Sequence, residues 1–348
     1  MIAGLLLLCL TAVPPETASQ HTNSEHSAGG LARFEYSQVH MGTRFRVVLY
    51  GPDRDSANEA AQAAFDRIAK LDSVLSDYNP RSELSRLSAG SPSQRPINIS
   101  ADLWPVLHHA QRLAIQTDGA FDITAGPLTS LWRISRRSGR LPSKEELASA
   151  RQATGHVHLK LDPCRQTGQL LRAGMRLDLG GIAKGYAADE GLRILANRGI
   201  VHALVAASGD IAVGAPPPGQ RGWRIAIAPL RKDDGVPLSS ARTLEVAHVG
   251  VSTSGEAEQH VDIGGIRYSH VVDPRTGLGL TTSSSVTVVS PNDMASDALA
   301  TAVSVLGPEK GLALLNAIPG VEGLIVTTRG DKAVTLTSAG FAALESQN

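Results

Sequence analysis

The chain is nearly free of cysteine, with two in 348 residues. Cys9 falls in an N-terminal segment that reads as removed or modified, which leaves Cys164 alone in the body. An internal disulfide is therefore excluded there, and nothing favours a thiol nucleophile. Net charge is missing as well. Thirty-three basic residues offset 33 acidic ones, so no bulk electrostatic case exists for nucleic acid or acidic lipid as a partner. The apolar run at residues 5–10 is too short to span a bilayer. No Gly-x-Gly-x-x-Gly follows a strand, and Gly180-Gly-Ile-Ala-Lys184 lacks the four-residue gap of a P-loop. The histidines show no metal-site spacing: His108 and His109 point to different helix faces, and His156 and His158, read on one strand face, have no third ligand nearby. No repeat period and no clean linker divide the chain.

What is present is globular in character, with 42% apolar and 19% charged residues and enough length for a full core. The short apolar run, followed by small residues and prolines, reads residues 1–19 as an export segment without a positive n-region. A plain cleaved signal or anchor and lipidation of Cys9 both remain open, although Leu7-Leu8 suits the small-residue requirement of lipidation poorly. Residues 20–32 read as a polar tether, and residues 33–345 as one intertwined α+β body. The expected location is exported and periplasmic, with attachment to the inner membrane left open.

Two strand-like pieces flank the turn at Met41-Gly42-Thr43. A capping box from Ser56 to Glu59 opens a helix with Ala61, Ala64, Phe65, Ile68, Leu71 and Leu75 on its apolar face. Residues 75–98 read as a surface loop. Ser100 caps a second helix with Leu103, Leu107, Ala110 and Leu113 inward, and Ser143 with Glu146 caps a third. Beyond residue 170 strands alternate with helices: an apolar run at 201–206, alternation at Trp223, Ile225 and Ile227, and again at Val286 and Val288. A helix over 292–306 stops at Gly307-Pro308, and Arg329-Gly330-Asp331 reads as a hairpin turn.

The chemistry concentrates in residues 177–189, LDLGGIAKGYAAD. Amides freed by glycine, a lysine and a helix N-terminus make a phosphate cradle. A carboxylate beside a phosphate, here Asp178, needs a divalent metal or a reacting hydroxyl between them. Asp297 and Thr301 project from one helix face at i, i+4 spacing. Two readings fit them: oxygen ligands for Mg²⁺, or a threonine bonded back to its own helix beside a dipole-favoured aspartate. Residues 117–127, TDGAFDITAGP, are either a plain turn or a loop whose backbone near Gly119 receives a ring or a ribose. His270 reads on a strand before an Asp-Pro turn, as a general base, a phosphate contact or a structural residue.

Together these segments resemble the ApbE family, the FAD:protein FMN transferases. The matching motifs are MGT at 41–43, SDYNPRSE at 76–83, GAFDIT at 119–124, DLGGIAKG at 178–185, TSG at 253–255, HVVDPRTG at 270–277 and DALAT at 297–301. The resemblance implies a mixed α/β fold and transfer of FMN from FAD to a Thr or Ser hydroxyl of a target protein, with release of AMP and a requirement for Mg²⁺. It places Met41 and Tyr78 against FAD, Tyr78 by stacking, and Ala120, Phe121 and Asp122 along the nucleotide site. Asp178 and Lys184 meet FAD near its ribose or phosphates, and the Gly181 carbonyl, Asp297 and Thr301 hold Mg²⁺. His270 lies at the reacting phosphate or incoming hydroxyl, so His270, Asp178 and Lys184 form the implied catalytic set. The target would be a redox-pump subunit or a flavin-carrying domain. An FAD pyrophosphatase and a non-catalytic periplasmic flavin-binding protein are the alternatives. One departure stands out: where the family has a Gly-Gly-Asp run after its central strand, this chain has Ser208-Gly209-Asp210.

Overall fold

Apolar residues on every second position of the first two strands commit one face of each to a core, and the consecutive Val47-Val48-Leu49 buries both faces of the second strand. Phe45, Val47 and Leu49 enter the main core, while Val48 enters a second core on the opposite face. The computed structural model describes residues 30–230, 237–255, 260–329 and 332–346. The export segment, most of the tether, and the Gly330-Asp331 pair of the expected hairpin turn lie outside the described residues.

Eight strands form the central sheet: β1 (Ala32–His40), β2 (Thr43–Gly51), β3 (Ala203–Ala207), β4 (Asp210–Val213), β5 (Val249–Gly255), β6 (Ser284–Ser290), β7 (Glu322–Arg329) and β8 (Lys332–Thr337). Their spatial order is their chain order, and every neighbouring pair is antiparallel. Between β2 and β3 the chain leaves the sheet for residues 52–202. That excursion holds α1 (Arg54–Leu75), α2 (Glu83–Ala89), α3 (Trp104–Gln116), α4 (Gly126–Ser138), α5 (Lys144–Gln152) and α6 (Ala183–Asn197), with a small three-stranded sheet at 97–98, 159–162 and 167–170. Helices α7 (Asp293–Leu306) and α8 (Pro308–Ala317) connect β6 to β7.

Helices α1, α3, α6 and α7 bury their apolar faces on one side of the sheet. Phe65, Ile68 and Leu71 of α1 are at most 2% exposed, worth about 2 kcal/mol each as an upper figure. The other side is covered by the strand pair Trp223–Ile227 and Arg242–Val246 and by Phe341. Trp223, Ile225 and Ile227 are buried, as their alternation predicts.

Several local expectations are corrected. Helix α1 begins before Ser56, because the Asp53 side chain accepts the Ser56 amide at 2.8 Å and caps it. The expected loop at 75–98 contains α2, capped by Ser82 and anchored by buried Leu84 and Leu87. Two apolar residues are too few for a periodic signal. Helix α4 follows the 117–127 segment without a sequence signal of its own; Gly126-Pro127 begins it, and Gly139 closes it with φ of 68°. Gly307-Pro308 ends α7 and also starts α8. His156 and His158 lie in a 3₁₀ turn, not on a strand. His270 sits at a bend just past the strand Ile266–Ser269. The capping box at Ser143 and Glu146 and the inward face of α3 are as expected.

Candidate active site

The loop 178–182 delivers two glycines to the start of α6, whose N-cap position, Ile182, supplies no side-chain hydrogen bond. The first-turn amides of α6 therefore find partners elsewhere, and the Ala183 amide donates to the Leu179 carbonyl at 2.9 Å. Another, the Gly185 amide, donates to Asp297 Oδ2 at 3.2 Å, tying α6 to α7. A Cβ at Gly181 would stand 2.7 Å from Thr301 Oγ1, so the Gly181 backbone lies directly against that hydroxyl. Elsewhere on α7 the Ser296 and Ser304 hydroxyls donate back to the Asn292 and Ala300 carbonyls. The Thr301 hydroxyl makes no such bond among the described residues, which favours the ligand reading over helix back-bonding.

Charge is crowded beneath this junction. The Lys184 ammonium is bonded to Asp210, whose other oxygen accepts the Ser252 hydroxyl at 2.5 Å. Asp189 accepts the Asp293 and Met294 amides at 2.8 Å each and so caps α7 from α6. Asp293 is fully buried, and neither of its carboxylate oxygens has a hydrogen-bond partner. Burial, reinforced by Asp210, pushes the Asp297 carboxyl up to about 7, and burial pushes Asp189 up to about 6. Burial and the charges of Asp210, Asp189 and Asp297 lift Asp293 well above the ordinary range. Burial opposes the charge on Lys184, but Asp297 and Asp210 outweigh it and raise its pKa. The pocket thus carries more acid than its single lysine offsets.

A divalent cation fits that excess. Among the described residues no group of three or more His, Cys, Asp or Glu is arranged to hold a metal. What meets here is the Asp297 carboxylate, the Thr301 hydroxyl and the Gly181 main chain. Such a sparse oxygen set suits Mg²⁺, which keeps waters and substrate phosphates in its remaining positions.

Asp178 anchors the other side of the site. Its Oδ2 accepts Thr129 Oγ1 at 2.6 Å and an Arg133 nitrogen at 2.8 Å, and its Oδ1 accepts the Gly180 amide at 2.8 Å. A second Arg133 nitrogen bonds Asp77 at 2.5 Å, and the guanidinium lies 4.3 Å from the centre of the Tyr78 ring. Tyr78 is 75% exposed, an unusual state for an aromatic and one suited to receiving a planar ligand.

The segment 117–127 is held rigidly. Asp122 Oδ1 accepts the Thr124 amide and hydroxyl at 2.8 and 2.7 Å, and Oδ2 accepts the His156 amide at 2.8 Å. Both Asp122 oxygens are thereby engaged within the protein. Ala120 and Phe121 are buried, so what this loop offers a ligand is main chain. Met41, with φ of 50°, donates its amide to Asp72 at 2.9 Å. The hairpin that carries His270 is tied to α4, for Tyr268 packs on Trp132 at 5.0 Å and Trp132 Nε1 donates to the Gly277 carbonyl at 2.9 Å. Ser208 adopts φ of 58°, the conformation a glycine would take there at no cost.

The structure thus joins Gly181, Lys184, Asp297 and Thr301 at one junction and links Tyr78 to Asp178 through Arg133. Sequence reasoning missed Asp77, Thr129, Arg133, Asp189, Asp210 and Asp293 as parts of this site. Asp77, Asp189 and Asp210 lie within the segments singled out from the sequence, whereas Arg133 belongs to none of them.

Comparison with known proteins identifies the family. A model of the ApbE family matches residues 41–325. The FAD:protein FMN transferase of Treponema pallidum is 34% identical over 86% of this chain and 87% of its own length. That of Escherichia coli K12 is 31% identical over 86% of each. Among solved structures, the flavin transferase ApbE of Vibrio cholerae superposes with a TM-score of 0.81 at 29% identity, over 90% of this chain and 99% of that one. The apo flavinyl transferase ApbE of Pseudomonas stutzeri gives 0.79 at 30% identity, over 90% and 97%.

Proposed function

The chain belongs to the ApbE family and is an FAD:protein FMN transferase, and from that premise we propose that it works with Mg²⁺ held by the Gly181 carbonyl, Asp297 and Thr301, on a Thr or Ser hydroxyl of its target. The observation that carries this reading is the meeting of Gly181, Thr301 and Asp297 at the start of α6. Bound there, the metal supplies charge neutralisation for the FAD pyrophosphate.

The rest falls to the chain itself. Phosphoryl transfer needs placement and charge stabilisation more than covalent help. The acceptor oxygen forms a bond to the FMN phosphorus, the pyrophosphate bridge breaks, and AMP leaves with the bridging oxygen. At the α6 N-terminus the Ala183 and Gly185 amides are taken by the Leu179 carbonyl and Asp297, so the Lys184 amide and the positive end of the helix dipole face the phosphate oxygens. Lys184, held charged by Asp297 and Asp210, contributes a fixed cation. Tyr78 receives an aromatic ring of FAD, and the 119–122 main chain borders the nucleotide. His270 takes the proton of the acceptor hydroxyl. The location we propose is exported, on the support of the apolar run at residues 5–10, with periplasmic-side redox proteins as targets.

The test combines the protein with FAD, Mg²⁺ and a candidate acceptor. The expected result is a fluorescent acceptor with the added mass of FMN and stoichiometric AMP, abolished by EDTA. AMP and free FMN formed equally without acceptor would favour hydrolysis; bound FAD without AMP release would favour a binding protein.

A further inference from the structure

Arg133, on α4, touches two separate segments of the site, residues 77–78 and Asp178. It reaches Asp77, just past α1, with one nitrogen and Asp178, just before the glycine loop, with another. Its face carries the ring of Tyr78 at 4.3 Å. The side chains of Arg133, Asp77 and Asp178 keep only 20%, 16% and 10% of their surfaces exposed, while Tyr78 keeps 75%. One face of the tyrosine ring is thus covered by the guanidinium, and the rest of the ring is open.

The helix that presents Arg133 cannot easily shift. Trp132 and Leu128 of α4 are buried. At its first residue, a Cβ on Gly126 would stand 2.5 Å from the Arg176 carbonyl, so α4 starts in close contact with the segment leading to Asp178. Tyr78 is also fixed from its own main chain, since the Ser76 hydroxyl accepts the Tyr78 and Asn79 amides at 3.2 Å. Without the guanidinium, two carboxylates would face each other across the gap and the ring would lose its support.

We propose that Arg133 is a positioning residue that locks Tyr78 and Asp178 into one rigid platform for the aromatic ring of FAD, and so sets the affinity for FAD without touching the reacting phosphate. This rests on the reading of Tyr78 as an FAD contact. It differs from a role as a phosphate ligand, because the fork is already committed to two carboxylates. A planar, bidentate and stacked arginine is not replaceable by lysine.

The experiment is a double-mutant cycle on the full chain, titrated with FAD and read by the flavin absorbance change, with Tyr78→Leu, Arg133→Met and the double variant. Each single change is expected to weaken FAD roughly three- to thirtyfold. The double variant should be no weaker than Tyr78→Leu within about twofold, because the arginine acts through the ring. In the transfer assay KM for FAD rises while kcat changes little, and Arg133→Lys does not rescue. Asp77→Asn serves as the second variant if Arg133→Met fails to fold, and it too should weaken FAD. Losses that add in the double variant, rescue by Arg133→Lys, or tighter FAD binding in Asp77→Asn would each overturn the inference and leave the FAD reading of Tyr78 standing. Unchanged FAD binding in Tyr78→Leu would instead remove that reading, and the inference with it.

Discussion

Gly185 and Asp293 are in main-chain contact: a Cβ on the glycine would stand 2.3 Å from the Asp293 carbonyl oxygen and 2.9 Å from Asp297 Cβ. The two helices that form the junction can approach this closely only because α6 has no side chain there. Gly185→Ala should separate them and move Asp297 away from Gly181. The expected cost is roughly 1–3 kcal/mol or more in denaturant unfolding, with transfer activity lost out of proportion to the stability change. Full activity in a folded Gly185→Ala protein would show that the junction tolerates spreading.

Asp297→Asn separates stability from function. The substitution removes a buried charge, so the metal-free protein should gain on the order of 1 kcal/mol at neutral pH. The stabilisation that Mg²⁺ brings to the parent protein should vanish, and transfer should fall by roughly two orders of magnitude or more. Thermal melts with Mg²⁺ and with EDTA read the first two effects. A melt that still responds to Mg²⁺ would place the metal elsewhere.

The pH dependence has a defined sign. Asp297 and Asp189 are raised from about 3.8 to about 7 and about 6, chiefly by burial. An acid whose pKa rises on folding holds its proton more firmly in the folded state. It costs nothing below the unfolded value and costs progressively more as pH rises through this window. The metal-free protein should therefore lose stability between about pH 4 and pH 7, and Mg²⁺ should recover more of it at the upper end, where the carboxyl is free of protons. Denaturation midpoints with and without Mg²⁺ across that range test both statements. Stability rising with pH in the metal-free protein would contradict the burial of these carboxyls.

Ser208→Gly should stabilise. Ser208 holds φ of 58° in the two-residue turn between β3 and β4, is exposed, and is followed by Gly209, where a Cβ would stand 2.7 Å from the Thr253 carbonyl. Left-handed backbone costs a non-glycine residue about 1–2 kcal/mol, and glycine gives some of that back through its freer unfolded chain. A net gain of about 0.5–1 kcal/mol is expected, with activity unchanged. Ser208→Ala, which keeps the strain, should show no gain.

Legibility from sequence followed the physics of each signal. Helices α1 and α3 were readable because their buried faces repeat at helical spacing, α7 because Gly307-Pro308 marks its stop, and the strand at Trp223, Ile225 and Ile227 because alternation marks a half-buried surface. Helix α2 was not, since two buried leucines make no period. Helix α4 was hidden by its Gly126-Pro127 start, which reads equally well as a loop. Asp297 and Thr301 are visible as a pair from i, i+4 spacing, but only the fold shows the Gly181 backbone against them. Arg133 left no sequence trace, because its partners come from two distant loops and pairing of that kind has no spacing rule.

The sequential order of the central sheet also dictates a timetable. Each strand can pair with the one synthesised before it, so the sheet can grow from its first edge as the chain emerges. The site obeys a different clock. Tyr78, Arg133 and Asp178 belong to the excursion before β3, whereas Asp297 lies 112 residues beyond Gly185, on a helix made after six of the eight strands. On the proposed assignments, a growing chain owns a flavin platform long before it owns a place for the metal, and chemistry waits until the last quarter of the protein has arrived.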